Sequence, residues 1–130
     1  MNTHLALEFS QPEIFDPLLA LDASELDTLD FGVIGIGADT VVCDYNALEA
    51  KLAGLSKERV LGHPLFTVVA PCMNNFMVAQ RFEDAAAAGQ ALDLTLDYVL
   101  TLRMRPAKVQ LRLLAAPLAA RRFVLVNRKL

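Results

Sequence analysis

Apolar and polar residues alternate along the C-terminal third of the chain. From Leu92 to Leu102 every second residue is leucine or tyrosine, which predicts a strand with one buried face. The apolar runs at 109–118 and 121–130 predict two more strands, and "RMRPAK" predicts the turn that precedes them. This part of the chain is therefore expected to form three consecutive antiparallel strands.

The preceding residues combine a hairpin pattern with helical patterns. "FGVIGIGADTVVCDYN" contains two short β-rich runs around residues 37–39, which predicts a hairpin. Helices are predicted in "NALEAKLAGL", where Gly54 ends the helix, and after Ser56 as N-cap. The longest helix is predicted over "NNFMVAQRFEDAAAAGQ" and ends at Gly89. The apolar residues on one face of this helix are Phe76, Ala79, Phe82 and Ala86.

Two strands, several helices and three strands predict an α+β fold, a five-stranded antiparallel sheet with helices packed on one face. This order of elements is that of the PAS fold. Residues 1–28, which contain Pro12 and Pro17, are expected to form an N-terminal helical cap. The pair Ser24 and Asp27 is a helix-start signal within it. Residues 29–130 would form the PAS core of a single domain.

Composition excludes several classes of partner. The 130 residues are 55% hydrophobic and 21% charged, which is typical of one folded domain. A net charge of −3 gives no general attraction to nucleic acid or to anionic lipid. No apolar run approaches the roughly 20 residues that span a bilayer, and the N-terminus lacks a secretory signal pattern. We therefore expect a cytoplasmic protein with neither nucleic acid nor membrane as its partner.

The chemistry of the two cysteines is open at this point. A disulfide is not expected in the cytoplasm, and no metal-binding spacing is present. Cys43 lies in an apolar run and is expected in the core, and packing is also the usual role of a cysteine such as Cys72. Pro71 and a predicted helix start beside Cys72 would instead favour a reactive thiolate. His4 and His63 are the only candidate bases for an enzyme, and neither has an evident orienting carboxylate, so enzyme activity is not expected.

Tyr45 and Glu49 lie four residues apart, across the join between a predicted strand and a helix. Glu49 could complete a capping box with Asn46, and Tyr45 could be a core tyrosine with a satisfied hydroxyl. Alternatively, the phenol and a protonated carboxyl could hold an anionic ligand oxygen, since burial favours the neutral acid. Both interpretations stay open from local sequence.

"DFGVIGIGADTVVCDYNALE" followed by "VLGHPLFTVVAPC" resembles the photoactive yellow protein family, bacterial blue-light receptors with the PAS fold. The shared features are the "FG" opening, "YNAxE", "GxxxFxxVAPC" and a phenylalanine ten residues after the cysteine. The similarity extends from about Leu26 to the C-terminus, and the combination of "YNAxE" with "VAPC" is much more specific than the PAS topology.

The resemblance implies a p-coumaric acid (4-hydroxycinnamic acid) chromophore, held as a thioester on Cys72. Tyr45 and Glu49 would hydrogen-bond the phenolate oxygen, and the amide of Cys72 would hold the carbonyl. After trans–cis isomerisation Glu49 would give its proton to the phenolate, and partial unfolding would signal to a downstream protein. The protein is expected to be a monomer or a weak dimer. The residues expected to line the pocket are Ala53, Leu55, Phe66, Val69, Ala70, Pro71, Tyr98, Leu100 and Met104.

Several of these positions depart from the family pattern. Ala53 replaces a threonine and Leu55 an arginine, while Leu100 and Leu102 are aliphatic where aromatic residues are usual. The segment "MNNF" after the cysteine is also unusual, whereas Met104 matches a methionine that speeds thermal recovery. These changes motivate an alternative function, a PAS-type ligand-binding or protein-interaction module that has lost light sensing.

Overall fold

Five antiparallel strands form one sheet in the computed structural model, which describes residues 7–101 and 106–128. The strands are β1 (Gly32–Ile36), β2 (Val42–Tyr45), β3 (Leu92–Leu100), β4 (Ala107–Ala115) and β5 (Arg122–Asn127). Their order across the sheet is β2-β1-β5-β4-β3, so the last strand of the chain occupies the centre. The predicted hairpin and the three consecutive strands are confirmed, and β3 shows the predicted alternation of inward and exposed residues.

The described residues also contain five short helices, one π-helical turn and one 3-10 turn; two of the helices precede β1, and the other elements lie between β2 and β3. The helices are α1 (Phe15–Leu19), α2 (Ala23–Leu26), α3 (Ala47–Ala53), α4 (Lys57–Val60) and α5 (Ala79–Ala88). A π-helical turn at Leu65–Val69 and a 3-10 turn at Pro71–Met73 lie between α4 and α5. Gly54 and Gly89 end α3 and α5 as predicted, with φ values of 73° and 64° that favour glycine.

Helix α5 begins later than the sequence pattern predicts. The side-chain oxygen of Asn75 accepts hydrogen bonds from the amides of Met77 and Val78, at 2.9 and 3.2 Å, and holds these residues in a turn. Phe76 is consequently 75% exposed and does not join the buried face. The buried residues of α5 are Ala79, Phe82 and Ala85, so Ala86 was also placed incorrectly.

The start of α2 also differs from the prediction. The side chain of Asp22 accepts from the amide of Glu25 at 2.9 Å, and the amide of Asp22 donates to the Glu25 side chain at 3.0 Å. This capping box places the N-cap two residues before Ser24. The prediction that Ser24 and Asp27 mark the start of the helix was wrong. Asp22 and Glu25 mark it instead, because their side chains satisfy each other's backbone amides.

Both faces of the sheet are covered, although the sequence predicted helices on one face only. Strand β5 shows the division, because Val124 and Val126 point to one side while Phe123 and Leu125 point to the other. The helix-face cluster packs the sheet against the segments between β2 and β3, and includes Ile34, Tyr45, Phe66, Phe82, Val124 and Val126. The cap-face cluster packs it against the N-terminal residues, and includes Ile14, Leu18, Leu26, Phe31, Phe123 and Leu125.

Two arginines of the sheet region bind backbone carbonyls of the N-terminal residues. Arg112 donates from Nη1 to the carbonyls of Phe9 and Gln11, at 2.8 and 2.7 Å. Arg121 donates from Nη2 to the carbonyl of Leu19 at 2.7 Å. The N-terminal segment is therefore attached to the sheet by charge-assisted hydrogen bonds as well as by apolar packing. The boundary predicted at residue 28 stays a prediction.

Candidate functional site

Asn46 fixes the turn that leads from β2 into α3. Its side-chain oxygen accepts from the amides of Val33 and Glu49, at 3.0 and 3.1 Å. Its side-chain nitrogen donates to the carbonyls of Leu26 and Phe31, both at 3.0 Å. This fully bonded, buried amide joins the cap, β1 and α3 at one point. The predicted N-cap is confirmed, and it sets the positions of the residues on either side of it.

Glu49 does not complete the capping box that local sequence suggested. The amide of Asn46 donates instead to the carbonyl of Val33 at 3.1 Å, so it is already satisfied. The carboxylate of Glu49 pairs with Arg128, whose Nη1 donates to Oε1 at 2.6 Å and whose Nη2 donates to Oε2 at 3.1 Å. Glu49 is 1% exposed. The pair is thus a bidentate interaction with a fully buried acid.

Gly32 makes room for this carboxylate. A Cβ atom at Gly32 would collide with Oε1 of Glu49 and press against the side chain of Val126. The glycine of the "FG" opening is consequently required by close packing of a polar side chain on the sheet, and its backbone conformation does not demand glycine.

Tyr45 and Glu49 lie in a desolvated environment. Burial raises the pKa of the Glu49 carboxyl, and the hydrogen bond and charge of Arg128 oppose this rise. Burial, and then the nearby Glu49, raise the pKa of the Tyr45 phenol, while Arg128 again opposes. Tyr45 is 3% exposed, and its hydroxyl forms no hydrogen bond with any residue in the described ranges. The expectation of a satisfied core hydroxyl is therefore not met among these residues.

Cys72 lies in the 3-10 turn that Pro71 opens, and its thiol is free and half-buried. Its carbonyl accepts from the Tyr98 hydroxyl at 2.5 Å and from the Asn75 side-chain nitrogen at 3.2 Å. Asn75 also donates to the Tyr98 hydroxyl at 2.6 Å. Within residues 7–101 and 106–128, the amide of Cys72 donates to no other group. The prediction that Cys72 lies at a helix start was wrong for α5, which begins at Ala79.

Most of the predicted pocket residues meet in the helix-face cluster. Ala53 is buried outside that cluster, Pro71 is exposed, and Met104 and Leu102 lie outside the described residues. The predicted residues in or against the cluster, together with Cys72, are Tyr45, Leu55, Phe66, Val69, Ala70, Tyr98 and Leu100. The structure thus brings the cysteine and the tyrosine to one apolar cluster, although they are 27 positions apart in the chain.

A cavity of about 680 Å³ opens beside Tyr98. Tyr98 is the residue that it shares with the predicted lining, and Met77 at its wall also packs against the helix-face cluster. The remaining residues that line it are Asp97, Val99, Lys108 and Val109. Space for a small ligand therefore exists next to the tyrosine that binds the Cys72 carbonyl.

Cys43 is exposed, so the prediction of a core cysteine was wrong. It lies on β2, which is an edge strand, and its thiol donates weakly to the Asp44 carboxylate at 3.8 Å. The sulfur itself is partly desolvated, and this desolvation, followed by the charge of Asp44, raises the pKa of the thiol. No three His, Cys, Asp or Glu side chains are grouped for metal binding in the described ranges. None of the helices described above has the length and apolar character to cross a bilayer.

Sequence reasoning missed two residues of this site, Asn75 and Arg128. The tandem asparagines before a helical pattern are a signal for a side-chain turn, which would have identified Asn75. Counting by two along β5 from Val124 and Val126 places Arg128 on the helix face. A charged residue in that inward register indicates a buried partner.

Comparison with known proteins agrees with the geometry. No family model matches the chain. The photoactive yellow protein of Halochromatium salexigens is 30% identical over 94% of this chain and 97% of its own length, and that of Rhodothalassium salexigens is 29% identical over the same shares. The solved photoactive yellow protein domain of the sensor histidine kinase Ppr from Rhodospirillum centenum is 34% identical, with a TM-score of 0.78, and the match covers 86% of this chain and 97% of that one.

More distant structures share the fold alone. Solved PAS domains match with identities of 12 to 17% and TM-scores of 0.55 to 0.60. Together with the observed strand order, they confirm the PAS fold predicted from the sequence.

Proposed function

Because the chain belongs to the photoactive yellow protein family, a family of photoreceptors and not of enzymes, we propose that it is a blue-light receptor with p-coumaric acid bound as a thioester on Cys72. The observation that carries the proposal is the buried Tyr45 hydroxyl, which has no partner in the described ranges. A buried polar group of this kind is costly unless a ligand satisfies it.

The residues fit such a group at three points. Among the residues that the structure describes, Sγ of Cys72 is free to carry the acyl group and the Cys72 amide is free to donate to its carbonyl. The Tyr45 hydroxyl would donate to the phenolate oxygen at the other end. When bound, the p-coumaroyl group supplies the absorption of blue light and the trans–cis isomerisation.

Glu49 would act as the proton donor of the site. Burial raises the pKa of its carboxyl, which favours the neutral form that can donate a hydrogen bond and then a proton from Oε. The carboxylate left behind would be buried, and the cost of this charge would drive the partial unfolding that signals to a downstream protein. Leu55 and Leu100 would provide apolar walls that keep water away from this exchange.

The alternative is a PAS-type ligand-binding or interaction module without a photocycle. The pairing of Glu49 with Arg128 favours it, because a carboxylate in this pair has no proton to give. Ala53 and Leu55 also favour this alternative, because they stand at predicted pocket positions where the family has polar residues.

Reconstitution tests the proposal. The apoprotein would be mixed with an activated p-coumaroyl donor, digested and analysed by mass spectrometry. We expect the added mass on the Cys72 peptide, together with a visible absorption band that bleaches and recovers under blue light. Cys72→Ala should abolish both signals, whereas Cys43→Ala, which removes the exposed thiol, should keep them. Absence of the modification would refute the chromophore, and a modified protein that does not bleach would favour the alternative.

A further inference from the structure

The pair of Glu49 and Arg128 joins the proposed proton donor to the end of the central strand. Arg128 follows β5 directly and reaches the carboxylate from the helix face of the sheet. The elements packed against the carboxylate contribute Gly32 from β1 and Val126 from β5, neither of which is charged. Among the described residues, Arg128 is the group that acts electrostatically on the carboxylate, and the carboxylate in turn acts on Tyr45 across the turn. Arg128 is therefore the cation in direct contact with this acid.

We propose that Arg128 is a positioning residue that controls the proton of Glu49. In the chain without chromophore it holds Glu49 as a carboxylate. After light has moved the proton of Glu49 to the ligand, Arg128 again pairs with the Glu49 carboxylate as its counter-ion. This second step rests on the proposed function.

The geometry makes the two roles of Glu49 mutually exclusive. Both carboxylate oxygens accept from the guanidinium, at 2.6 and 3.1 Å, so neither can carry a proton toward a ligand in this arrangement. Arginine stays protonated in proteins, so the pair favours the ionised acid over the neutral one. To donate, Glu49 must take up a proton and turn away from Arg128. Once the proton has left, the buried carboxylate again gains by pairing.

A second arginine provides a matched control. Arg112 also forms a bidentate pair, with Nε and Nη2 donating to the two carboxylate oxygens of Asp93, both at 2.8 Å. Asp93 is 49% exposed, so water can take over when Arg112 is removed. Arg112 lies on the cap face, away from Glu49, as the alternation along β4 shows. Its replacement therefore removes a buried guanidinium without touching the proposed site.

The first experiment uses the chromophore-free protein. The carboxyl carbon of Glu49 would be followed by ¹³C NMR across a pH titration in wild type, Arg128→Gln, Arg128→Lys and Arg112→Gln. We expect an ionised Glu49 at neutral pH in wild type. Its pKa should rise by about one unit or more in Arg128→Gln, because a neutral amide no longer favours the charged form.

Arg128→Lys should bring the pKa of Glu49 part of the way back to its wild-type value, and Arg112→Gln should leave this pKa unchanged. An unchanged titration in Arg128→Gln would overturn the proposal. If this variant does not fold, the wild-type spectrum alone still decides, since a protonated Glu49 at neutral pH would refute the carboxylate.

The second experiment uses the reconstituted protein and follows recovery in the dark after a flash. Without its counter-ion the buried carboxylate should regain a proton more readily, so we expect recovery about tenfold faster in Arg128→Gln than in wild type or Arg112→Gln. Equal rates would overturn the counter-ion step. Failure to attach the chromophore would count against the proposed function, and the titration of Glu49 would be unaffected by that outcome.

Discussion

Each face of the sheet has an arginine that is paired with a carboxylate, a half-buried one on the helix face and a buried one on the cap face, and the two serve different partners. On the helix face, Arg128 pairs with Glu49, which is 1% exposed and depends on the guanidinium for its charge. On the cap face, Arg112 pairs with the half-exposed Asp93 and also binds the carbonyls of Phe9 and Gln11. The first pair stabilises a buried acid, whereas the second attaches a segment of backbone.

The pair on the helix face can respond to proton transfer, whereas the contacts of Arg112 on the cap face hold the fold together. A buried acid with a single cation can change its protonation state, and its energy changes with it. Backbone carbonyls do not titrate, so the contacts of Arg112 keep their strength across the physiological pH range. The helix face therefore contains the groups that can respond to a ligand, and the cap face contains groups that hold the fold.

The largest effect that would test this contrast is expected from Arg128→Gln. Removing one partner of a buried pair leaves the other charge unsatisfied, which typically costs about 3 kcal/mol. Urea denaturation at neutral pH should show this loss in the free energy of unfolding. Combining Arg128→Gln with Glu49→Gln should recover a large part of the lost free energy of unfolding, because two neutral amides need no counter-ion. A double variant as unstable as the sum of the single ones would contradict a direct coupling.

Arg112→Gln should cost less, about 1 to 2 kcal/mol, because water can reach the carbonyls that it leaves. Its effect should be local, with faster hydrogen exchange at amides of residues 9–21 and an unchanged titration of Glu49. Hydrogen exchange measured by mass spectrometry would check this. Uniformly faster exchange over the helix face would show that the two faces are not separable.

The sequence predicted those parts of the molecule that depend on local pattern. Period-two alternation identified β3, and glycines identified the ends of α3 and α5, because these features are set by neighbouring residues. The late start of α5 was missed because the side chain of Asn75 competes with the helical hydrogen bonds. Coverage of both sheet faces was missed because it depends on where the N-terminal segment docks.

The same distinction applies to the site. Tyr45 and Glu49 were identifiable because they flank one turn, and Cys72 because it lies in a motif of adjacent residues. Arg128 is 79 positions away from Glu49, and they meet only because β5 is inserted beside β1 in the centre of the sheet. Local sequence therefore left a capping box open as one interpretation of Glu49, because its long-range partner Arg128 lies far away in the chain.

The pH dependence of stability should distinguish the two faces more finely. Because burial raises the folded-state pKa of Glu49, its contribution is fully present below the unfolded value of about 4.3 and is lost as pH rises through the folded pKa. We expect the free energy of unfolding of wild type, relative to Glu49→Gln, to fall across this window. Each unit of pKa shift corresponds to about 1.4 kcal/mol.

The decrease in the free energy of unfolding with rising pH should be larger in Arg128→Gln, because the cation that opposes the pKa rise of Glu49 is absent there. It should be the same in Arg112→Gln as in wild type. Urea titrations between pH 4 and 8 would measure it. Profiles of wild type and Glu49→Gln that stay parallel over this range would show that Glu49 does not titrate between the folded and unfolded states.

The smallest change is expected from Tyr45→Phe in the chromophore-free protein. Its hydroxyl is buried and has no partner among the described residues, so removing it relieves an unsatisfied group and should raise the free energy of unfolding slightly, by up to about 1 kcal/mol. Tyr98→Phe is the matched control, because its hydroxyl binds Asn75 and the Cys72 carbonyl, and losing these bonds should cost about 1 to 2 kcal/mol. Thermal and urea unfolding of the two variants would compare them. A Tyr45 variant as destabilised as the Tyr98 one would mean that the hydroxyl of Tyr45 already supports the fold, and that it is not held in reserve for a ligand.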